Sequence, residues 1–136
     1  MKVSVLGTGY VGLVTGVCLA EKGHRVSCVD IDPDKVQKTN LGIPIIHEEG
    51  LGTLLKKNIG GRFNATTDLR QAVLNSDLSI IAVGTPFNGD EIDLGYIQEV
   101  SKQVGTALCE KVAYHVVVVK STVVPGTTQE DRKSVV

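Results

Sequence analysis

Three glycines in the run GTGYVG, Gly7, Gly9 and Gly12, stand between an apolar segment at 3–6 and a longer segment at 11–22. In the longer segment Val14, Val17, Cys18 and Ala20 recur at helical spacing. A second apolar run, 26–29, ends on Asp30, eighteen residues after Gly12. Each of these positions has a chemical use. Gly7 permits a sharp turn as a strand ends. Gly9, without a side chain, lets the backbone approach a bulky anion. Gly12 lets the following helix lie close against the strand. The helix amino terminus then offers unpaired N–H groups and partial positive charge to that anion. A carboxylate at the end of the next strand accepts hydrogen bonds from ribose hydroxyls and repels a 2′-phosphate. Pyrophosphate cradle and ribose acceptor together describe a site for NAD rather than NADP. The competing reading is a tight strand-to-helix turn with an acid that serves only structure. Asp32 is a second acid nearby, and Arg25 and Lys35 are the bases close in sequence.

Such a site needs elements to hold it. Apolar runs at 3–6, 26–29, 78–83 and 115–120 read as strands, with 62–66 a weaker fifth. LSIIAV at 78–83 and VVVV at 116–119 are nearly unbroken, the pattern of parallel strands covered on both faces. Helical patterns fall between them, at 11–22 ending before Gly23, from Pro33 through Val36, and at 51–57, 68–75 and 94–108. Thr67 or Asp68 is available to cap the fourth. Alternating strands and helices predict an α/β fold, a Rossmann-type doubly wound parallel sheet. That sheet type carries six strands, so a chain with five reads as truncated after about five. A last helix is expected after Pro125 and Gly126.

A length of 136 residues suits one domain, residues 1–136, with a core of its own. Hydrophobic residues at 42% and charged residues at 21% exclude a disordered chain. A net charge of -1 gives no electrostatic reason to expect nucleic acid or an anionic membrane as partner. No apolar run reaches membrane-spanning length, and MKVSVLG lacks the layout of a signal peptide, so a cytoplasmic location is expected. Cys18, Cys28 and Cys109 lack metal-ligand spacing and read as reduced packing residues. His24, His47 and His115 are dispersed, with His115 an edge residue and none a metal ligand.

Beyond the glycines, GRFNATTDLRQAV, SIIAVGTPFNGDEIDLGYI and VVVVKSTVVPGTT complete a pattern over nearly the whole chain. It resembles the amino-terminal NAD-binding domain of the UDP-glucose/GDP-mannose dehydrogenase family. The resemblance implies a four-electron oxidation of a sugar-nucleotide primary alcohol to a carboxylate, with two NAD reduced in succession. In that family a cysteine captures the aldehyde as a thiohemiacetal, and water hydrolyses the thioester that follows. Residue by residue, it implies that Gly7, Gly9, Tyr10, Val11 and Gly12 form the phosphate loop and that Asp30 is the ribose ligand. Lys35 matches a basic residue near the adenosine end, and Thr85 and Pro86 match the cofactor-contacting TP motif. Phe87 stands where the family often has a threonine that touches NAD. Thr122 matches a threonine near the nicotinamide and the hydrolytic water, a catalytic as well as a cofactor contact; otherwise it caps a turn. Ser121 reads as structural. The family's nucleophilic cysteine and its substrate-binding residues belong to a region beyond these residues. The chain alone is therefore expected to bind NAD, to meet a nucleotide sugar only in the full-length enzyme, and to be inactive by itself. A strand left open at 116–119 predicts a homo-oligomer. A non-catalytic nucleotide-sensing domain and another NAD-dependent dehydrogenase share the glycine loop. GTPFNGDEIDL and KSTVVPGTT are the segments that separate them.

Overall fold

A computed structural model describes residues 1–87, 89–90, 92–123 and 125. Its strands are β1 (Lys2–Leu6), β2 (Arg25–Val29), β3 (Phe63–Thr66), β4 (Leu78–Ile81) and β5 (Val116–Val119). Its helices are α1 (Tyr10–Glu21), α2 (Pro33–Asn40), α3 (Leu51–Asn58), α4 (Leu69–Leu74) and α5 (Gly95–Cys109). All strand pairs are parallel, in the order β3-β2-β1-β4-β5. The chain therefore winds outward in both directions from β1 and β4, and its switch point lies between those two strands.

Alternation along the strands feeds two cores. Val3 and Val5 of β1, Val26 and Cys28 of β2, and Phe63 of β3 pack with Leu13, Val17 and Ala20 of α1 and with Leu51 and Leu55 of α3. On the opposite face Leu6, Val29 and Ile81 pack with Ala72 and Val73 of α4 and with Val104 and Ala107 of α5. Both faces are covered, which is why β1 and β4 read as continuous apolar runs. The weak candidate at 62–66 forms a strand because Phe63, 1% exposed, fills the space under α1.

Caps set the helix boundaries. Gly23, at φ 98°, takes the left-handed position after α1, and its amide bonds the Ala20 carbonyl at 3.0 Å. Pro33 opens α2, and the Asp32 carboxylate accepts from the amides of Asp34 at 2.9 Å and Lys35 at 3.4 Å. Asp68 caps α4 by accepting from the Gln71 amide at 2.9 Å.

Four expectations need correction. The strands at 78–83 and 115–120 shorten to β4 and β5. β5 is not covered on both faces: among the described residues it lies at the sheet edge, and Val118 is 37% exposed. Cys18 and Cys109 are exposed, so only Cys28 is a packing residue; burial, with the Asp30 charge behind it, pushes the Cys28 thiol far up. His115 turns inward. One ring nitrogen bonds the Ser79 hydroxyl at 2.8 Å and the other the Ser76 carbonyl at 3.1 Å. Ser79 continues to Ser4 at 2.6 Å, and Ser4 accepts from Ser76 at 3.0 Å, so hydroxyls buried within the second face satisfy one another. Burial, and then the Lys111 charge, hold His115 below its ordinary pKa. The helix expected after Gly126 lies outside the described residues.

α1 meets the sheet closely at Gly16, where an added Cβ would stand 2.6 Å from Cys28 Sγ and 3.1 Å from Phe63. Gly16→Ala is expected to lower unfolding stability by about 1–3 kcal/mol through overpacking, with the denaturant m-value unchanged. Equilibrium urea denaturation measures this, and a neutral substitution would contradict the packing described.

Candidate dinucleotide site

The turn after β1 is built from three glycines with three different relations to the protein. Gly7 has φ 106°, and a Cβ there would stand 2.8 Å from the Ala82 carbonyl oxygen, where the exits of β1 and β4 touch. Gly12 is the more constrained, since its Cβ would fall 1.9 Å from the Gly7 carbonyl oxygen. The first turn of α1 therefore folds onto the turn that precedes it. Gly9 differs from both. Its φ of -65° suits any residue, and a Cβ there meets nothing within 4 Å. The fold has no use for a glycine at this position, but a ligand lying over the backbone does.

Gly9 is also the N-cap of α1, and no side chain caps that end. No acid stands in the first turn to occupy the dipole. The α1 amino terminus thus keeps backbone N–H groups without a side-chain cap, and the backbone at Gly9 is open to close approach. Tyr10 and Val11, 54% and 44% exposed, present apolar surface beside it.

Asp30 follows β2, next to β1 in the sheet. Its Oδ2 accepts from the Thr8 amide at 3.1 Å and from the Thr8 hydroxyl, and its Oδ1 accepts from the Asp32 amide at 3.0 Å. Burial works against its ionisation. The Thr8 hydroxyl, the Asp32 and Thr8 amides and the Lys35 charge together outweigh burial and hold the carboxyl below the usual carboxylate range. The result is a fixed, ionised acceptor beside the glycine turn. Asp32, the other acid of the sequence reading, is committed to capping α2.

Lys35 projects from the first turn of α2 close enough for its charge to act on Asp30. Thr85 and Pro86 follow β4, and Phe87, 67% exposed, pairs with Ile92 across the loop. Thr122 follows β5 and is exposed. Ser121 is structural, as expected: its hydroxyl donates to the Val83 carbonyl at 2.7 Å and ties the exits of β4 and β5 together. All of these residues thus stand along the carboxyl edge of one sheet, around the switch point.

Two contributors were not singled out from sequence. Thr8 is fully buried and joins the glycine turn to the acid across 22 residues; a hydroxyl between two glycines ahead of a strand-terminal acid is the signal for it. Ile31, 88% exposed directly after Asp30, presents an apolar side chain to solvent beside that carboxylate.

The family model described as "UDP-glucose/GDP-mannose dehydrogenase family, NAD binding domain" matches residues 1–136. The chain belongs to this family. It is the NAD-binding domain, and its cofactor is NAD. GDP-mannose 6-dehydrogenase of Pseudomonas aeruginosa is 48% identical over 130 residues, covering 93% of this chain and 30% of that protein. UDP-glucose 6-dehydrogenase TuaD of Bacillus subtilis is 44% identical over 128 residues, covering 93% of the chain and 27% of the relative. Among solved structures, a ternary complex of the Pseudomonas aeruginosa GDP-mannose dehydrogenase superposes with a TM-score of 0.92 at 46% identity, covering 95% of the chain and 30% of that structure. A UDP-glucose dehydrogenase from the archaeon Pyrobaculum islandicum gives 0.93 at 41% identity, covering 98% and 32%. The chain thus spans about a third of the length of these relatives. No described helix of the NAD-binding domain is long and apolar enough to cross a membrane.

The Thr8–Asp30 link has a measurable consequence. Thr8→Val removes the hydroxyl but keeps the amide, and is expected to cost about 1.5–3 kcal/mol at neutral pH, the range for a hydrogen bond to a charged group. Asp30 ionises more readily in the folded than in the unfolded chain, whose reference value is 3.8. Its stabilisation is therefore complete above that value and is lost as pH falls through the lower folded value. The stability gap between parent and variant should narrow below about pH 3.8, as followed by urea denaturation over pH. A gap independent of pH would contradict the assignment.

Proposed function

We propose that Gly7, Gly9, Tyr10, Val11 and Gly12 hold the pyrophosphate of NAD on the α1 amino terminus, and that Asp30 accepts the adenosine ribose hydroxyls. The single observation that carries this reading is Gly9, a glycine with ordinary backbone angles and open space over it. Fixed negative charge at Asp30 disfavours a 2′-phosphate, so NAD is bound in preference to NADP. Lys35 lies toward the adenosine end, and the apolar side chain of Ile31 faces the base. Thr85 and Pro86 line the cofactor from the β4 exit. Phe87 replaces a hydroxyl contact with an apolar one.

The full-length protein is proposed to be a nucleotide-sugar dehydrogenase. It would oxidise the C6 alcohol of UDP-glucose, or of a related UDP or GDP sugar, to the carboxylate. Bound NAD supplies the hydride acceptor for each two-electron step. Thr122, exposed at the β5 exit, would orient water near the nicotinamide, since a hydroxyl both donates and accepts. The nucleotide sugar and the nucleophilic thiol belong to the remainder of the full-length enzyme, so this domain alone binds cofactor and oxidises nothing. Self-association through the exposed edge of β5 is part of the same proposal.

Calorimetric titration with NAD and with NADP tests this reading. NAD should bind and NADP should bind at least about tenfold more weakly, a difference of about 1.4 kcal/mol. Gly9→Ala should weaken NAD by at least the same factor while leaving the melting temperature unchanged, because its Cβ meets no protein atom. Asp30→Ala should weaken NAD and narrow the preference over NADP. NAD binding unaffected by Gly9→Ala would overturn the cradle. NADH formation from UDP-glucose or GDP-mannose by the chain alone would overturn the division of labour.

A further inference from the structure

At the opposite edge of the sheet, the amino-terminal ends of the strands carry an unexplained row of like charges. Lys2 of β1 is in register with Arg25 of β2. The Arg62 carbonyl accepts from the Val26 amide at 2.7 Å, which makes Arg62 the next member of the row. Lys2 and Arg25, as register partners in a parallel sheet, point to the same face, and with neighbouring strands about 4.8 Å apart the three basic residues rise from backbone positions within about 10 Å of one another. None of the three side chains has an ion pair among the described residues. Like charges placed side by side across strands cost stability.

These side chains line an open cleft of about 400 Å³, together with Ser27, Asn64 and Asn75. That volume is in the range of small-molecule sites. The cleft opens where α4, only six residues long, ends its cover over β1 and β2 at Leu74. Two nearby carboxylates feel the row without closing an ion pair on it: the Lys2 charge acts on Asp77 and the Arg62 charge on Glu21. Asp77 accepts from the Lys2 backbone amide at 2.8 Å, and Glu21 holds Lys57 and Asn58. The carbonyls at the carboxyl end of α4 need no cation from the cleft, since Lys111 Nζ donates to Val73 at 2.9 Å, to Leu74 at 3.1 Å and to Ser76.

We propose that this cleft is a second, anion-binding site, distinct from the cofactor cradle and at the far edge of the same sheet. Its ligand is a small, multiply charged, phosphate-bearing molecule. Arg25 and Arg62 grip the phosphate oxygens through their planar forks, Lys2 adds a point charge, and the side-chain amide of Asn64, whose oxygen accepts from the Ser27 hydroxyl at 2.9 Å, supplies a neutral N–H donor. Binding relieves the repulsion along the row.

The test is a titration of the isotope-labelled chain with inorganic pyrophosphate, followed through backbone amide shifts, against sodium chloride matched for ionic strength. The expected result is a saturable shift at Lys2, Arg25, Ser27 and Asn64 that chloride does not reproduce. Shifts at Gly9 to Gly12 would report the cradle separately, so the two sites succeed or fail independently. Arg25→Gln with Arg62→Gln should weaken the cleft response at least about tenfold, as expected for losing two charge-assisted contacts. The same double variant should keep any cradle response and a cooperative melting transition, which separates a lost site from a lost fold. Pyrophosphate shifts confined to the cradle, shifts matched by chloride, or a cleft response unchanged in the double variant would each overturn the proposal.

Discussion

The contact on which the rest depends is the approach of α1 to its own preceding turn, where a Cβ on Gly12 would sit 1.9 Å from the Gly7 carbonyl oxygen. No side chain fits that gap, so the helix can start only as a glycine passes the turn. The approach has two results. It carries α1 down onto β1 and β2, where Gly16 continues the seam against Cys28 and Phe63 and the first core closes. It also leaves the helix amino terminus uncapped at the sheet edge, aimed at the switch point between β1 and β4. Packing and site are thus consequences of one steric fact.

Charge is organised along the strand direction. At the carboxyl edge, backbone amides of α1 offer partial positive charge and Asp30 supplies one fixed negative charge, tied through Thr8 to the glycine turn itself. Because Thr8 lies between Gly7 and Gly9, the Asp30 carboxylate and the glycine turn form one rigid unit rather than two residues that happen to meet. At the amino edge the charges are cationic side chains lining a cleft, without such a scaffold of backbone donors. The parallel sheet makes this polarity unavoidable, since all strands begin at one edge and end at the other.

Much of this was legible in the sequence, for identifiable reasons. The doubly wound order follows from strand and helix alternation, and the glycine roles follow from their spacing before a helical pattern. Even the weak fifth strand at 62–66 was visible, though its reason, Phe63 under Gly16, is tertiary. Other features had no local signal. Cys18 shares helical spacing with buried residues yet lies outside the buried stripe, because α1 is apolar nearly all round and periodicity alone did not fix which face turns inward. VVVV at 116–119 reads as fully covered, but cover depends on what packs beyond the strand, not on the strand. The Ser4–Ser79–His115 chain joins residues far apart in sequence, so neither its hydroxyls nor the inward turn of His115 appear in any short window. Thr8 was hidden by the attention that its flanking glycines attract.

The central claim is that the space over Gly9 exists for a pyrophosphate. A crystal structure of the chain with NAD tests it most directly. The account predicts phosphate oxygens about 2.7–3.2 Å from backbone amides in the first turn of α1, with an adenosine ribose hydroxyl at the same distance from Asp30. A dinucleotide bound with its pyrophosphate away from Gly9, or with its ribose out of reach of Asp30, would contradict it.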